Sequence, residues 1–66
     1  MNLVFYRTSD VFEAEEILQE RSIATEIVPT PVQDKAYCGV CIQVPLEVQE
    51  RVGELLSKFE YKMILS

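Results

Sequence analysis

The only thiols in this 66-residue chain are Cys38 and Cys41, and it contains no histidine. They enclose the run Cys-Gly-Val-Cys, whose spacing admits three chemistries. A redox dithiol works best at a helix N-terminus, where the dipole lowers the thiol pKa. Here the residues from Gly39 onward read as a strand. Positions three apart in a strand face opposite ways and suit a disulfide only across a bulge. A soft-metal site is short of ligands, because a single cysteine pair cannot close a zinc site. The third chemistry is a single working thiol at Cys38, with Cys41 incidental. Gly39 lets a partner backbone come close, and Lys35 is near enough in sequence to favour the thiolate. An unperturbed cysteine ionises near about pH 8.5, so such help matters at neutral pH. Against all three stands the inert, half-buried cysteine, which is the commoner state of a free thiol. The lack of histidine removes Cys-His pairs, Ser-His triads and His-bearing zinc sites.

The segment that must hold Cys38 is Pro29–Cys41, Pro-Thr-Pro-Val-Gln-Asp-Lys-Ala-Tyr-Cys-Gly-Val-Cys. Pro29 and Pro31 fix their own φ and push the residues before them toward extended backbone. The chain therefore leaves a strand stiffly. Val32–Tyr37 reads as a polar, exposed loop, and Cys38-Gly39 closes it at a loop–strand junction, where reactive groups are often placed.

Four strands and two helices surround this segment. Leu3–Tyr6 is an apolar run with Leu3 and Phe5 on one face and Val4 and Tyr6 on the other. Thr8, Ser9 and Asp10 are all N-cap types, and Asp10 with Glu13 has the capping-box spacing. Val11, Ala14, Ile17 and Leu18 form one helical stripe. The glutamates of this helix lie mostly away from the stripe and read as a solvated face. The helix should end near Arg21-Ser22. Ala24–Val28 reads as the second strand, running into Pro29, which marks an edge or an end. Gly39–Val44 is the third strand, with Val40, Ile42 and Val44 facing the core and Cys41 and Gln43 facing away. Pro45 opens a second helix with a stripe of Val48, Val52, Leu55, Leu56 and Phe59. Gly53 either weakens that helix or permits close packing. Tyr61–Leu65 is the last strand.

The order βαββαβ predicts an α+β fold, a ferredoxin-like two-layer sandwich with a four-stranded antiparallel sheet and two helices on one face. A single domain over residues 1–66 is expected. The opposite sheet face has no evident cover, and Val4, Tyr6, Val28 and Cys41 would form an association surface there. A homodimer or partner complex follows as an expectation, since a domain this short is marginally stable alone.

The net charge is −5, from 11 acidic and 6 basic residues. No basic patch stands out, which argues against nucleic acid and anionic membranes as partners. No apolar run is long enough to span a bilayer, and the first residues lack the pattern of a secretory signal. A cytoplasmic location is expected, and with it no disulfide framework. Neither a cofactor nor a metal is expected.

The whole chain resembles the selenium/sulfur carrier-like family of small bacterial and archaeal domains. The resemblance begins with Phe5 and Thr8 before a helix containing Ala14-Glu15 and Leu18. It continues through Ile23, then Ile27-Val28-Pro29-Thr30-Pro31, then Cys38-Gly39 entering an apolar strand. Pro-Thr-Pro, a short polar loop and Cys-Gly in that order is the specific part. Ferredoxin-like copper chaperones, by contrast, carry Cys-x-x-Cys after the first strand, where this chain has Arg7-Thr8-Ser9-Asp10. The resemblance implies a carrier rather than a stand-alone enzyme. Cys38 would accept a persulfide or selenopersulfide from a protein donor and hand it to a protein acceptor. Pro29, Pro31 and Gly39 would shape the approach to it. The alternative is a non-catalytic interaction or regulatory module that associates through its open sheet face, with both cysteines structural.

Overall fold

Apolar alternation in four short runs and two helical stripes give the elements of the computed structural model, which describes residues 1–31 and 36–64. Strand β1 is Asn2–Phe5, helix α1 Thr8–Glu20, β2 Glu26–Pro29 and β3 Val40–Gln43. A single 3₁₀ turn, Leu46–Val48, leads into helix α2, Gln49–Leu55, and β4 is Tyr61–Ile64. All strand pairings are antiparallel, in the order β2-β3-β1-β4. Each βαβ half is thus split by one strand of the other, which is the ferredoxin-like arrangement. The polar loop expected over Val32–Tyr37 and the help expected from Lys35 fall largely on residues 32–35, outside the described residues.

One face of the sheet joins both helices in the core. Leu3, Phe5 and Ile42 from the sheet meet Val11, Ala14 and Leu18 from α1 and Val52 from α2, with Leu56 just beyond it. Burying each of the larger side chains contributes about 1.5–3 kcal/mol. Phe5 is the centre of an aromatic group. It meets Phe59 edge-on at 6.1 Å and stacks on Tyr61 at 5.4 Å. Phe59 lies past the end of α2 but still reaches the core, because its N–H donates to the Leu56 carbonyl and closes a turn.

The ends of α1 differ from expectation at one side and match it at the other. The cap is Arg7, in extended conformation, and no side chain caps the helix. Thr8, Ser9 and Asp10 lie one to three positions inside, in the first turn. Asp10 is there an acidic group at the positive end of the dipole, which favours the helix. At the other end the helix stops at Glu20, with Ser22 left-handed at φ 61°. The N–H groups of Ser22 and Ile23 donate to the carbonyls of Gln19 and Leu18, both at 3.0 Å. These are the paired bonds of a Schellman ending, and buried Ile23 adds its apolar contact.

Pro45 also sits one position earlier than expected. It precedes the 3₁₀ turn in extended backbone rather than opening the helix itself. Strand β2 begins at Glu26 rather than Ala24 and includes Pro29, opposite Val40. β2 is an edge strand, so the N–H missing from Pro29 costs the sheet no inner ladder bond.

The second sheet face corrects one expectation. Val4 and Cys41, read as part of an open association surface, are both 0% exposed within the single chain. They oppose each other directly, and Val28 and Lys62 extend the same row on either side. Tyr37 lies beside the Lys62 end of this row. Its ring stacks on Tyr6, and the Lys62 ammonium is 6.0 Å from its centroid. Tyr37, expected in an exposed loop, is therefore half-buried. Among the described residues, no helix is long and apolar enough to cross a membrane.

Candidate functional site

Cys38 stands at the sheet end where β1 leaves for α1, β2 ends and β3 begins. Its backbone is held from both neighbours. The Cys38 N–H donates to the Phe5 carbonyl at 2.9 Å, on the β1 side. The Cys38 carbonyl accepts from the Thr30 hydroxyl at 2.8 Å, on the β2 side. Thr30 N–H donates to the Gly39 carbonyl at 3.0 Å, which carries the β2–β3 ladder one residue past Pro29. The side chain is half-buried against the helix-side core. Its S–H donates to the Val40 carbonyl at 3.0 Å, turning the sulfur back along its own strand.

Gly39 is exposed, and a β-carbon placed on it would meet nothing within 4 Å. That space lies on the sheet face opposite the Cys38 side chain, because successive residues of an extended run alternate faces. Pro29 is exposed and lies in β2, and Pro31 is exposed just beyond it. They bracket Thr30, the one residue of the three with a backbone N–H to give.

Cys41 differs from Cys38 in element, face and burial. It lies opposite Val4 on the other sheet face, fully buried, with its thiol 3.8 Å from the Pro29 carbonyl. Burial pushes the Cys41 thiol up from its ordinary value. The Thr30 hydroxyl opposes that rise, and the charge of Cys38 adds slightly to it. A protonated, shielded thiol is a packing group rather than a nucleophile at neutral pH. Both cysteines are free. Among the described residues, no group of three or more His, Cys, Asp or Glu side chains could hold a metal ion.

The structure therefore brings Cys38, Gly39 and Thr30 together at one strand end, with Pro29 and Pro31 as the frame around Thr30. Thr30 was not among the residues expected to matter. Its signal in the sequence is its position, a hydroxyl residue between two prolines that cannot donate from the backbone.

No curated protein and no solved structure matches the chain. Residues 2–64 match the family described as "Putative Se/S carrier protein-like". That span takes in every strand and both helices, the Pro-Thr-Pro segment and Cys38-Gly39, and the chain belongs to this family.

Proposed function

We propose that the chain carries sulfur or selenium as a persulfide or selenopersulfide on Cys38, taking it from a donor protein and passing it to an acceptor. The observation that supports this most is the state of Cys38. It is a free thiol at a strand end, half-buried rather than sealed. The membership of the family points the same way.

The step conserves redox state. The Cys38 thiolate attacks the outer sulfur of a donor cysteine persulfide. A bond forms between Cys38 Sγ and that sulfur, the donor S–S bond breaks, and its electron pair leaves on the donor cysteine as a thiolate. One proton passes from Cys38 to the donor, so a persulfide and a thiol exchange places. With selenium the transferred atom differs and the bookkeeping is the same. Attack requires Cys38 to give up its bond to the Val40 carbonyl and turn outward. Sulfhydryl hydrogen bonds are weak, so this costs little. Such traffic belongs in a reducing compartment such as the cytoplasm, where thiols stay free.

The test is intact mass after incubation with a cysteine desulfurase and cysteine. A gain of one sulfur atom, mapped to Cys38, is expected. Cys38→Ser should abolish it and Cys41→Ser should retain it. Loading that needs Cys41 and not Cys38 would reverse the assignment. A requirement for both would replace the single thiol with a dithiol.

A further inference from the structure

Every polar group of Cys38 has a partner, and only one of those partners is a side chain. The N–H goes to Phe5 O, the S–H to Val40 O, and the carbonyl receives the Thr30 hydroxyl. The first two bonds join backbone to backbone or thiol to backbone, so they recur with almost any neighbouring residues. The third depends on the identity of residue 30. Thr30 is held for this task by its own N–H, which donates to Gly39 O at 3.0 Å. One residue thus grips both peptide groups that follow Cys38, one through its backbone and one through its side chain.

We propose that Thr30 is the positioning residue for Cys38. Its hydroxyl fixes the Cys38 carbonyl, and with it the backbone rotation that aims the sulfur at Val40 O. The thiol is thereby stored in one orientation, which it must leave to react. Thr30 touches neither the sulfur nor the atom transferred. It acts through the backbone, and the assignment rests on Cys38 being the thiol that accepts sulfur.

Removal of the hydroxyl has two consequences of opposite sign. Without that donor the Cys38 peptide rotates more freely and the sulfur spends more time outward. A small alkylating reagent needs only exposure, so its reaction accelerates. Transfer from a protein-bound persulfide needs alignment of three sulfur-centred atoms within a docked pair, so it slows. A general loss of stability would not separate these two rates in that way.

The experiment compares Thr30→Val, of similar shape without the hydroxyl, with Thr30→Ser, which keeps it. Two rates are measured at Cys38 with site-resolved mass mapping: alkylation by iodoacetamide, and sulfur loading from a cysteine desulfurase. Thr30→Val should alkylate severalfold faster and load roughly tenfold more slowly than the wild type, and Thr30→Ser should restore both. If Thr30→Val does not fold, Thr30→Ala takes its place with the same expectations. Wild-type rates in the hydroxyl-free variant would overturn the proposal, as would Thr30→Ser failing alongside it. A wild-type chain that accepts no sulfur would sink the carrier reading alone. The alkylation contrast would still decide whether Thr30 holds the thiol.

Discussion

Tyr37, the residue before Cys38, stacks its ring on that of Tyr6 with centroids 5.0 Å apart and planes 29° from parallel. Tyr6 is the residue after Phe5, whose carbonyl accepts the Cys38 N–H. The ring pair therefore repeats, on the second sheet face, the tie that the backbone makes between β1 and the start of β3. Tyr37→Ala should lower the melting temperature on the order of 4 °C, the size expected when a partly exposed aromatic pair is lost from so small a domain. Tyr37→Phe keeps the stack and removes one hydroxyl. The Tyr6 phenol titrates above its ordinary range first because of its hydrogen bond with Tyr37. In Tyr37→Phe that titration, followed by ultraviolet absorbance, should move back down. An unchanged Tyr6 titration would show that the hydroxyls do not interact.

Glycine is absent where the backbone is left-handed and present where it is not. Ser22 carries φ 61° at the end of α1, while Gly53 lies inside α2 with nothing within 4 Å of an added β-carbon. Gly53 thus permits no close packing, and of its two expected roles only the weakening of the helix remains. Gly53→Ala should stabilise the fold by about 1 kcal/mol, which in a chain of this size raises the melting temperature by about 4–8 °C. Ser22→Gly should also raise it, by relieving the left-handed penalty, though glycine's own backbone entropy offsets part of the gain. A fall in melting temperature for Gly53→Ala would mean that α2 packs against something at that position.

The strands and helices were legible because their apolar residues repeat with the periods of 2 and 3.6 that bury one face. Leu3, Phe5, Ile42, Leu18 and Val52 all landed in the core for that reason. The cap of α1 was not legible, since Thr8, Ser9 and Asp10 are equally good caps and the tertiary path chose Arg7, which caps with no side chain at all. The burial of Val4 and Cys41 was hidden for a different reason. Alternation shows which face they take, but what covers that face is set by tertiary folding that no local pattern encodes. At the site, Cys38-Gly39 and the two prolines stood out by type. Thr30 did not, because a hydroxyl's partner is set by the pairing of β2 with β3.

Gly39 offers a way to separate clearance from structure. It is exposed, its φ lies outside the left-handed region, and beyond its two chain neighbours an added methyl would meet nothing within 4 Å. Gly39→Ala should therefore leave the melting temperature unchanged or slightly raised, by restricting the unfolded chain. If the open space at Gly39 admits the backbone of a docked partner, sulfur loading from a cysteine desulfurase should fall roughly tenfold, since small misplacements are costly in a docked reaction. Loading from glutathione persulfide, which needs far less room, should hardly change. Wild-type rates from both donors in Gly39→Ala would remove any role for clearance.

The buried thiol makes the fold sensitive to alkali. Burial is the main cause that pushes the Cys41 thiol above its ordinary value, which in an unfolded chain is about 8.5. As pH rises past that point the unfolded chain releases this proton first, and the folded chain still holds it. The folded state then binds more protons, so stability falls with rising pH, by at most about 1.4 kcal/mol for each pH unit in that window. Below about pH 8 both states hold the proton and the contribution is flat. Tyr61, also pushed up by burial, adds a loss of the same sign only beyond the ordinary tyrosine range near pH 10. The interval between about pH 8.5 and 9.5 therefore isolates Cys41 from the tyrosines. Cys41→Ala removes the titrating group and leaves Cys38 in place, at the cost of a small cavity that does not vary with pH. Urea melts of both proteins across that interval should show the wild type losing its advantage over Cys41→Ala as pH rises. A difference that stays constant would mean that Cys41 ionises in the folded chain as readily as in the unfolded one, and that the second sheet face is open to water after all.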